Sequence, residues 1–355
     1  MTTESTRQAM PRIGVLSFAH YHANFWSEVF ASRGVHAGIW DDDVARGEDA
    51  ATRFDCAFEP DLDALLARCT AVAVCSETAR HPELIARAAV RGLDVLVEKP
   101  LAVSVAEGER IAAIVAAHPV RLMQSFPKRF DPVSRYLKTL VDDGSLGTVS
   151  LVRIRHGHYY GFAPDFKDRW YVKPALCGGG ALIDEGIHGA DLLCWLFGMP
   201  ASVSAMTSSS AFGLDVEDLA VATYRFDSGM LAELTASFGF AAADVSIEIY
   251  GSAGTVLVSG VDLASRDITA GGFVRIFRQQ GAIEVGNPNQ PRQWETVDLT
   301  PRFKLGAFHQ QNALAFLDCL QTGAQPPVGI ADGLKALRMI EAAYRAAASG
   351  RQQDV

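Results

Sequence analysis

Two short stretches of the chain carry side chains able to move protons. In "VLVEKPLA", Val95–Ala102, an acid, a base and a proline follow directly on an apolar run. Pro100 fixes the turn, so Lys99 is aimed from a strand end toward the cleft above a sheet. In "CGGGALIDEGIHGADLLCWLFG", Cys177–Gly198, three glycines permit close backbone approach and a helix is expected from near Ala181. Ile183, Ile187, Ala190, Cys194 and Phe197 keep the 3.6-residue period and should face a core. Asp184, His188, Asp191 and Trp195 form a second stripe, one turn between neighbours. A carboxylate one turn from a histidine orients the imidazole and tunes its basicity, as acid–base chemistry requires. Taken singly, each feature has a plain alternative: a solvated strand-end lysine and an ion pair on a helix surface.

These residues need elements to hold them. The first third of the chain alternates apolar strands (Ile13–Leu16, His36–Trp40, Ala71–Cys75, Val95–Val97, Val120–Gln124) with helical stretches (Leu62–Arg68, Pro82–Arg91, Val105–Ala117). That rhythm predicts a parallel, doubly wound sheet, whose ligands bind beyond the carboxyl ends of the strands. After about Gln124 two-residue alternation takes over: Thr148–Tyr159, Ala201–Thr207, Leu219–Phe226, Met230–Phe238 and Val245–Tyr250. "DSG" (Asp227–Gly229) and "GSAG" (Gly251–Gly254) supply hairpin turns. The expectation is an α/β protein with a Rossmann domain over 1–124 and an α+β domain over 125–355, the latter built on a large, mainly antiparallel open sheet. Its last helix is expected near 332–348, with Leu334, Leu337, Ile340 and Ala343 on one face. Residues 1–10 read as a polar, disordered leader.

Composition excludes several classes. At 355 residues, with a net charge of −9 and no dense Lys/Arg block, the chain is a poor partner for nucleic acid or an anionic membrane surface. No uncharged run reaches the roughly 18–20 residues of a membrane span. Six cysteines without a CxxC pair suggest reduced thiols and a cytoplasmic protein. No metal is expected: His156 and His158 share one strand face, but no third ligand shares their spacing.

The two proton-moving stretches, together with "AVCSETARHPELIARAAVRGLDVLVEKP" (Ala73–Pro100) and "PPVGIADGLKALRMIEAAYRAAASGR" (Pro326–Arg351), resemble the Gfo/Idh/MocA oxidoreductases, the glucose–fructose oxidoreductase and inositol dehydrogenase group. The resemblance spans nearly the whole chain. It implies an NAD-dependent dehydrogenase acting on a secondary alcohol of a sugar, sugar derivative or cyclitol, with Lys99, Asp184 and His188 as the catalytic set. His188 would be the general base, Asp184 would hold the ring or a substrate hydroxyl, and Lys99 would stabilise the developing alkoxide. Lys99 and His188 are interchangeable as the group that takes the proton. The same scaffold with tightly held NAD would serve elimination, epimerisation or glycoside cleavage through transient oxidation. A non-enzymatic nucleotide or sugar sensor is the third reading. For substrate contacts, Lys128 and Arg129 lie in "SFPKRFDP", Trp170, Tyr171 and Lys173 in "DRWYVKP", and His156 and His158 on their strand. The resemblance also implies a homo-oligomer, joined through the open face of the second sheet, whose strands read as apolar on both faces.

The cofactor loop departs from pattern. In "IGVLSFAHYHANFW", positions one, three and six of G-x-G-x-x-G are Ser17, Ala19 and His22. Ser17 and Ala19 are small; His22 is the anomaly, because the third glycine normally permits tight helix–strand packing. A slightly wider turn is expected, with His20 or His22 donating to the pyrophosphate or reaching the cleft. Solvent-exposed loop histidines are the alternative. Ser17, Phe18, Ala19, His20 and His22 are therefore candidate cofactor residues, with Ser76, Thr78, His81, Glu98 and Lys99 after the later strands. "AGIWDDD" ends the second strand in acids, and Asp41, then Asp42, would accept from the adenosine ribose and repel a 2′-phosphate, favouring NAD over NADP.

Overall fold

The computed structural model describes residues 10–241, 245–260, 274–279, 293–299 and 306–355; all but Met10 of the expected leader lies outside them. The chain divides into two compact units. The first comprises Met1–Ala102, Ala106–Ser125 and His309–Ala331, and the second Val103–Val105, Phe126–Phe308 and Asp332–Val355. Ser125 thus ends a segment of the first unit, and His309–Ala331, expected in the second domain, returns to the first.

In the first unit, β1 (Ile13–Leu16), α1 (Ala23–Ser32), β2 (His36–Trp40), α2 (Val44–Arg53), α3 (Leu62–Leu66), β3 (Ala71–Val74), α4 (His81–Ala89), β4 (Asp94–Val97), α5 (Val105–Ala116) and β5 (Leu122–Gln124) follow in order. The strands form a parallel sheet in the order β2-β1-β3-β4-β5. Strands covered on both faces read as continuous apolar runs, and β1 (IGVL) and β3 (AVAV) are buried at every position. The returning segment pairs with β5, Gln124 N donating to Val328 O at 3.0 Å. Arg121 adds side-chain bonds to Cys319 O at 2.5 Å and to Asp94 at 2.6 Å.

The second unit contains α6 (Pro132–Asp142), β6 (Val149–Gly157), α7 (Pro174–Cys177), α8 (Ala181–Asp184), α9 (Gly186–Phe197), β7 (Ser202–Ser208), β8 (Leu219–Arg225), β9 (Leu231–Ser237), β10 (Val245–Gly251), β11 (Gly254–Val258), β12 (Val274–Arg278) and β13 (Trp294–Val297). Helix α10 (Ala307–Thr322) lies almost wholly in the first unit, and α11 (Ile330–Ser349) and β14 (Gln353–Asp354) end the chain. Among the described residues, nine strands make one sheet, β13-β12-β11-β10-β6-β9-β8-β7-β14, antiparallel throughout except for β6 with β9. Helices α8 and α9 pack on one face of it. Gly189 makes that approach possible, since a Cβ there would lie 2.3 Å from Leu234. The other face differs from the expectation of apolar residues on both sides. Burial alternates along β8, and Arg153 pairs with Glu233 and Glu248 on the exposed side. One covered face requires only every second residue to be apolar.

Candidate functional site

The first unit gathers its polar residues beyond the carboxyl ends of the strands. Ser17 follows β1 at φ +73°, a left-handed conformation that costs a non-glycine residue about 1 kcal/mol. Its amide donates to Trp40 O at 2.7 Å, and its hydroxyl accepts from Ala19 N at 3.1 Å. Phe18 N donates to Asp41 Oδ2 at 2.8 Å, and His20 N donates to Cys75 O at 3.0 Å. The loop is thus tied to the ends of β2 and β3 at Ser17, Phe18 and His20. His20 and His22 are both buried, so neither is a solvent-exposed loop histidine.

Asp41 and Asp42 stand where β2 ends, and each is met by an arginine that the strand pattern does not reveal. Arg46, on α2, contacts both Asp41 oxygens (Nη2–Oδ1 2.7 Å, Nε–Oδ2 2.9 Å). Burial alone raises the Asp41 carboxyl, but the Arg46 and Phe18 hydrogen bonds and the Arg46 charge outweigh it and hold Asp41 below its ordinary range. Arg80 pairs with Asp42 and lies over the Trp40 ring, 5.4 Å from its centroid. Ser76 and Thr78 are buried after β3. His81 starts α4 and turns Nδ1 to the carbonyls of Pro100 (3.0 Å) and Leu101 (3.3 Å), which fixes the turn carrying Lys99. Burial pushes the His81 pKa down, so the ring is neutral and donates from Nδ1.

At the end of β4, Glu98 and Lys99 are both buried. Glu98 Oε1 lies 2.8 Å from His22 Nδ1 and accepts from Ser125 Oγ at 3.3 Å; Oε2 accepts from Lys99 N at 2.6 Å. Burial raises the Glu98 carboxyl, and Lys99 and His309 oppose that rise only in part. His309, in the first turn of α10, packs against His22 with ring centroids 3.7 Å apart and the rings tilted by 35°.

In the second unit the helix expected to run on from Ala181 is interrupted. Its first turn, α8, is anchored by Glu217, whose carboxylate accepts from Gly180 N (3.0 Å), Leu182 N (2.9 Å) and Tyr344 Oη (2.7 Å). Gly180 is required there, because a Cβ would lie 2.0 Å from Glu217 O. Glu185 separates α8 from α9, and the break sets its carboxylate against two histidines. Glu185 Oε2 is 3.1 Å from His156 Nδ1 and 3.6 Å from His158 Nε2, and all three residues are buried. The His188 ring lies 4.8 Å from His156, with Phe126 at its edge, 6.5 Å away. Asp184 is half-buried at the end of α8.

The remainder of the second stripe faces another neighbour. Asp191 is held by Arg129 through both oxygens (2.5 and 3.0 Å), and Arg129 also reaches Asp332 at 3.0 Å and lies over Trp195. Burial lifts Asp191 to about 6 even beside that guanidinium. Arg129, a substrate candidate from the sequence, pairs with Asp191 and Asp332, and its neighbour Lys128 is buried in the turn Pro127–Phe130. Trp170 and Tyr171 stack on each other at 4.1 Å and pack against the Phe166–Val172–Cys177 cluster. Lys173 donates to Lys167 O at 2.8 Å. Sequence reasoning thus missed Glu185, Arg46, Glu217 and His309. A carboxylate directly before Gly186 in a helical pattern was a usable sign of the break at Glu185. The others have no local signature.

Comparison with known proteins is consistent with this geometry. The model of the GFO/IDH/MocA oxidoreductase family, NAD-binding Rossmann fold, matches residues 12–126, and that of the GFO/IDH/MocA C-terminal domain matches 134–257. The inositol 2-dehydrogenase of Rhizobium meliloti is 28% identical over 80% of this chain and 80% of its own. The crystal structure of aldose-aldose oxidoreductase from Caulobacter crescentus, complexed with glycerol, is 26% identical with a TM-score of 0.79, covering 97% of this chain and 99% of that one. GenD2 from gentamicin A biosynthesis, in complex with NAD, is 27% identical with a TM-score of 0.78, covering 100% and 99%.

Proposed function

The chain belongs to the GFO/IDH/MocA oxidoreductases, an NAD-binding enzyme family, and from that premise we propose that it transfers a hydride between nicotinamide and a secondary alcohol of a sugar, sugar derivative or cyclitol. The observation that carries the reading is the buried His188 ring set against His156, whose Nδ1 is oriented by Glu185. A sheltered imidazole in that setting suits a general base, a role worth roughly 10²–10⁴-fold in rate.

NAD supplies the hydride acceptor. The residues present fit it: Ser17 makes the sharp turn a glycine would make, Ala19 leaves room, α1 offers its N-terminus, and Asp41 stands at the end of β2. Ser17, Phe18 and Ala19 would hold the pyrophosphate side and Asp41 the ribose, with Arg46 fixing the carboxylate. His188 takes the hydroxyl proton, Lys99 holds the developing alkoxide, and Asp184 binds a substrate hydroxyl; the Lys99 and His188 roles are exchangeable. His156 and Glu185 act through His188 by orienting it, and Lys128 and the Trp170–Tyr171 stack contribute to the sugar contacts. Purified protein with NAD and a panel of sugars, sugar acids and inositols should form NADH with at least one of them. No NADH with any member, together with no NAD affinity by calorimetry, removes the reading.

The likeness to an aldose-aldose oxidoreductase favours a second reading, in which NAD would be retained through turnover and would serve a transient oxidation, as in elimination, epimerisation or glycoside cleavage, without net redox change. Turnover without added NAD, by protein that retains NAD through purification, distinguishes it from the first.

A further inference from the structure

Among the described residues, the first unit packs five side chains of metal-binding type into one place. They come from four separated pieces of chain: His20 and His22 from the loop before α1, Cys75 after β3, Glu98 after β4, and His309 in α10. Their exposures are 3%, 4%, 0%, 1% and 1%. Two triads share the glutamate, His22–Glu98–His309 and His20–Cys75–Glu98, and within each the ligand atoms lie within 4.8 Å of one another.

We propose that His22, Glu98 and His309 bind a zinc-type divalent ion that clamps the loop before α1 to β4 and α10. Two imidazoles and a carboxylate suit zinc, and tetrahedral bonds of about 2.0–2.1 Å place donors about 3.4 Å apart, a spacing bracketed by the present His22 Nδ1–Glu98 Oε1 distance of 2.8 Å and the 4.8 Å limit of the triad. The ring packing points the same way. His22 lies 3.7 Å from His309 and 4.1 Å from His20, centroid to centroid. Imidazoles crowded this closely around one carboxylate gain most from a cation that they share. The surrounding contacts pre-orient the donors: Lys99 N and Ser125 Oγ fix the Glu98 carboxylate, Phe25 lies nearly parallel to His309 at 5.4 Å, and Gln310 bonds Glu28 of α1 at 2.6 Å. Cys75 and His20 supply further donors beside the same glutamate. The ion would do for this loop what the missing third glycine does elsewhere, holding helix and strand close by ligation.

The experiment is elemental analysis of the full-length protein purified from zinc-supplemented culture, followed by removal of metal with a chelator and titration with Co²⁺. Expected are about one zinc per chain and visible cobalt d–d absorption on titration. His22→Ala and His309→Gln should each weaken Co²⁺ binding by about 100-fold or more. Absence of both retained metal and a cobalt band in the unaltered protein overturns the proposal, and that result requires no variant to fold. Unchanged cobalt binding in the His22→Ala/His309→Gln double variant overturns it equally.

Discussion

Each unit of this protein buries one glutamate against two histidines, but the two clusters are assembled in different ways. In the second unit, His156 near the end of β6 and His158 just past it face Glu185 at the α8–α9 break, with His188 one helical turn further on. Strand alternation and one broken helix place the whole group. In the first unit, Glu98 meets His22 and stands near His309, more than two hundred residues away in the chain. Its donors converge from four chain segments, and every one is buried. The first cluster is closed and rich in ligand atoms, which suits an ion. The second has half-buried Asp184 at its margin, which suits a small polar substrate.

The comparison breaks most visibly if the second cluster does not handle protons. His188→Ala should lower kcat by about 10²–10⁴-fold with the fold retained, read by NADH formation and circular dichroism. Glu185→Gln should cost less, because it acts through His156. A kcat within twofold of the unaltered protein for His188→Ala would remove the distinction between the clusters.

Next in size is the ion pair beside the second cluster. Arg129→Ala leaves Asp191 buried without its cation, and breaking such a pair costs about 3–5 kcal/mol. Denaturant unfolding reads the loss. A cost below about 1 kcal/mol would place Arg129 on the substrate side after all.

The smallest effect concerns acid sensitivity in the first unit. His36 accepts from Gly38 N and faces Ser27 Oγ as a neutral ring, and burial pushes its pKa down to about 4. Between pH 6.5 and 4 the unfolded chain binds the extra proton, so stability falls as pH falls across that window, by up to about 3 kcal/mol. His36→Asn should flatten the curve there, and a denaturation series at several pH values tests it. An unaltered slope would assign the acid sensitivity to other groups.

Local patterns carried the secondary structure far. The strand expected over His36–Trp40 and the one over Ile13–Leu16 are observed with those limits, and the two-residue alternation after Gln124 became the large sheet. The helix over Cys177–Gly198 was legible as apolar periodicity, but its break was not, since periodicity continues through Glu185. That break sets Glu185 against His156 and His158. Arg129 read as a substrate candidate because its segment resembles an RF segment of the family, and its ion-pair partners were not visible in the sequence. Its partners Asp191 and Asp332 lie 62 and 203 residues further along.

Sequence alone determined the order of strands and helices, the family, and the NAD-binding fold, because these depend on residue period and on short motifs that survive without tertiary context. Tertiary structure alone decided the pairing of the charged groups: Arg46 with Asp41, Arg129 with Asp191, Glu185 with His156, and His309 beside His22 and Glu98. The physical reason is that a buried charge must find its partner through space, and the chain path that brings it there leaves no local trace.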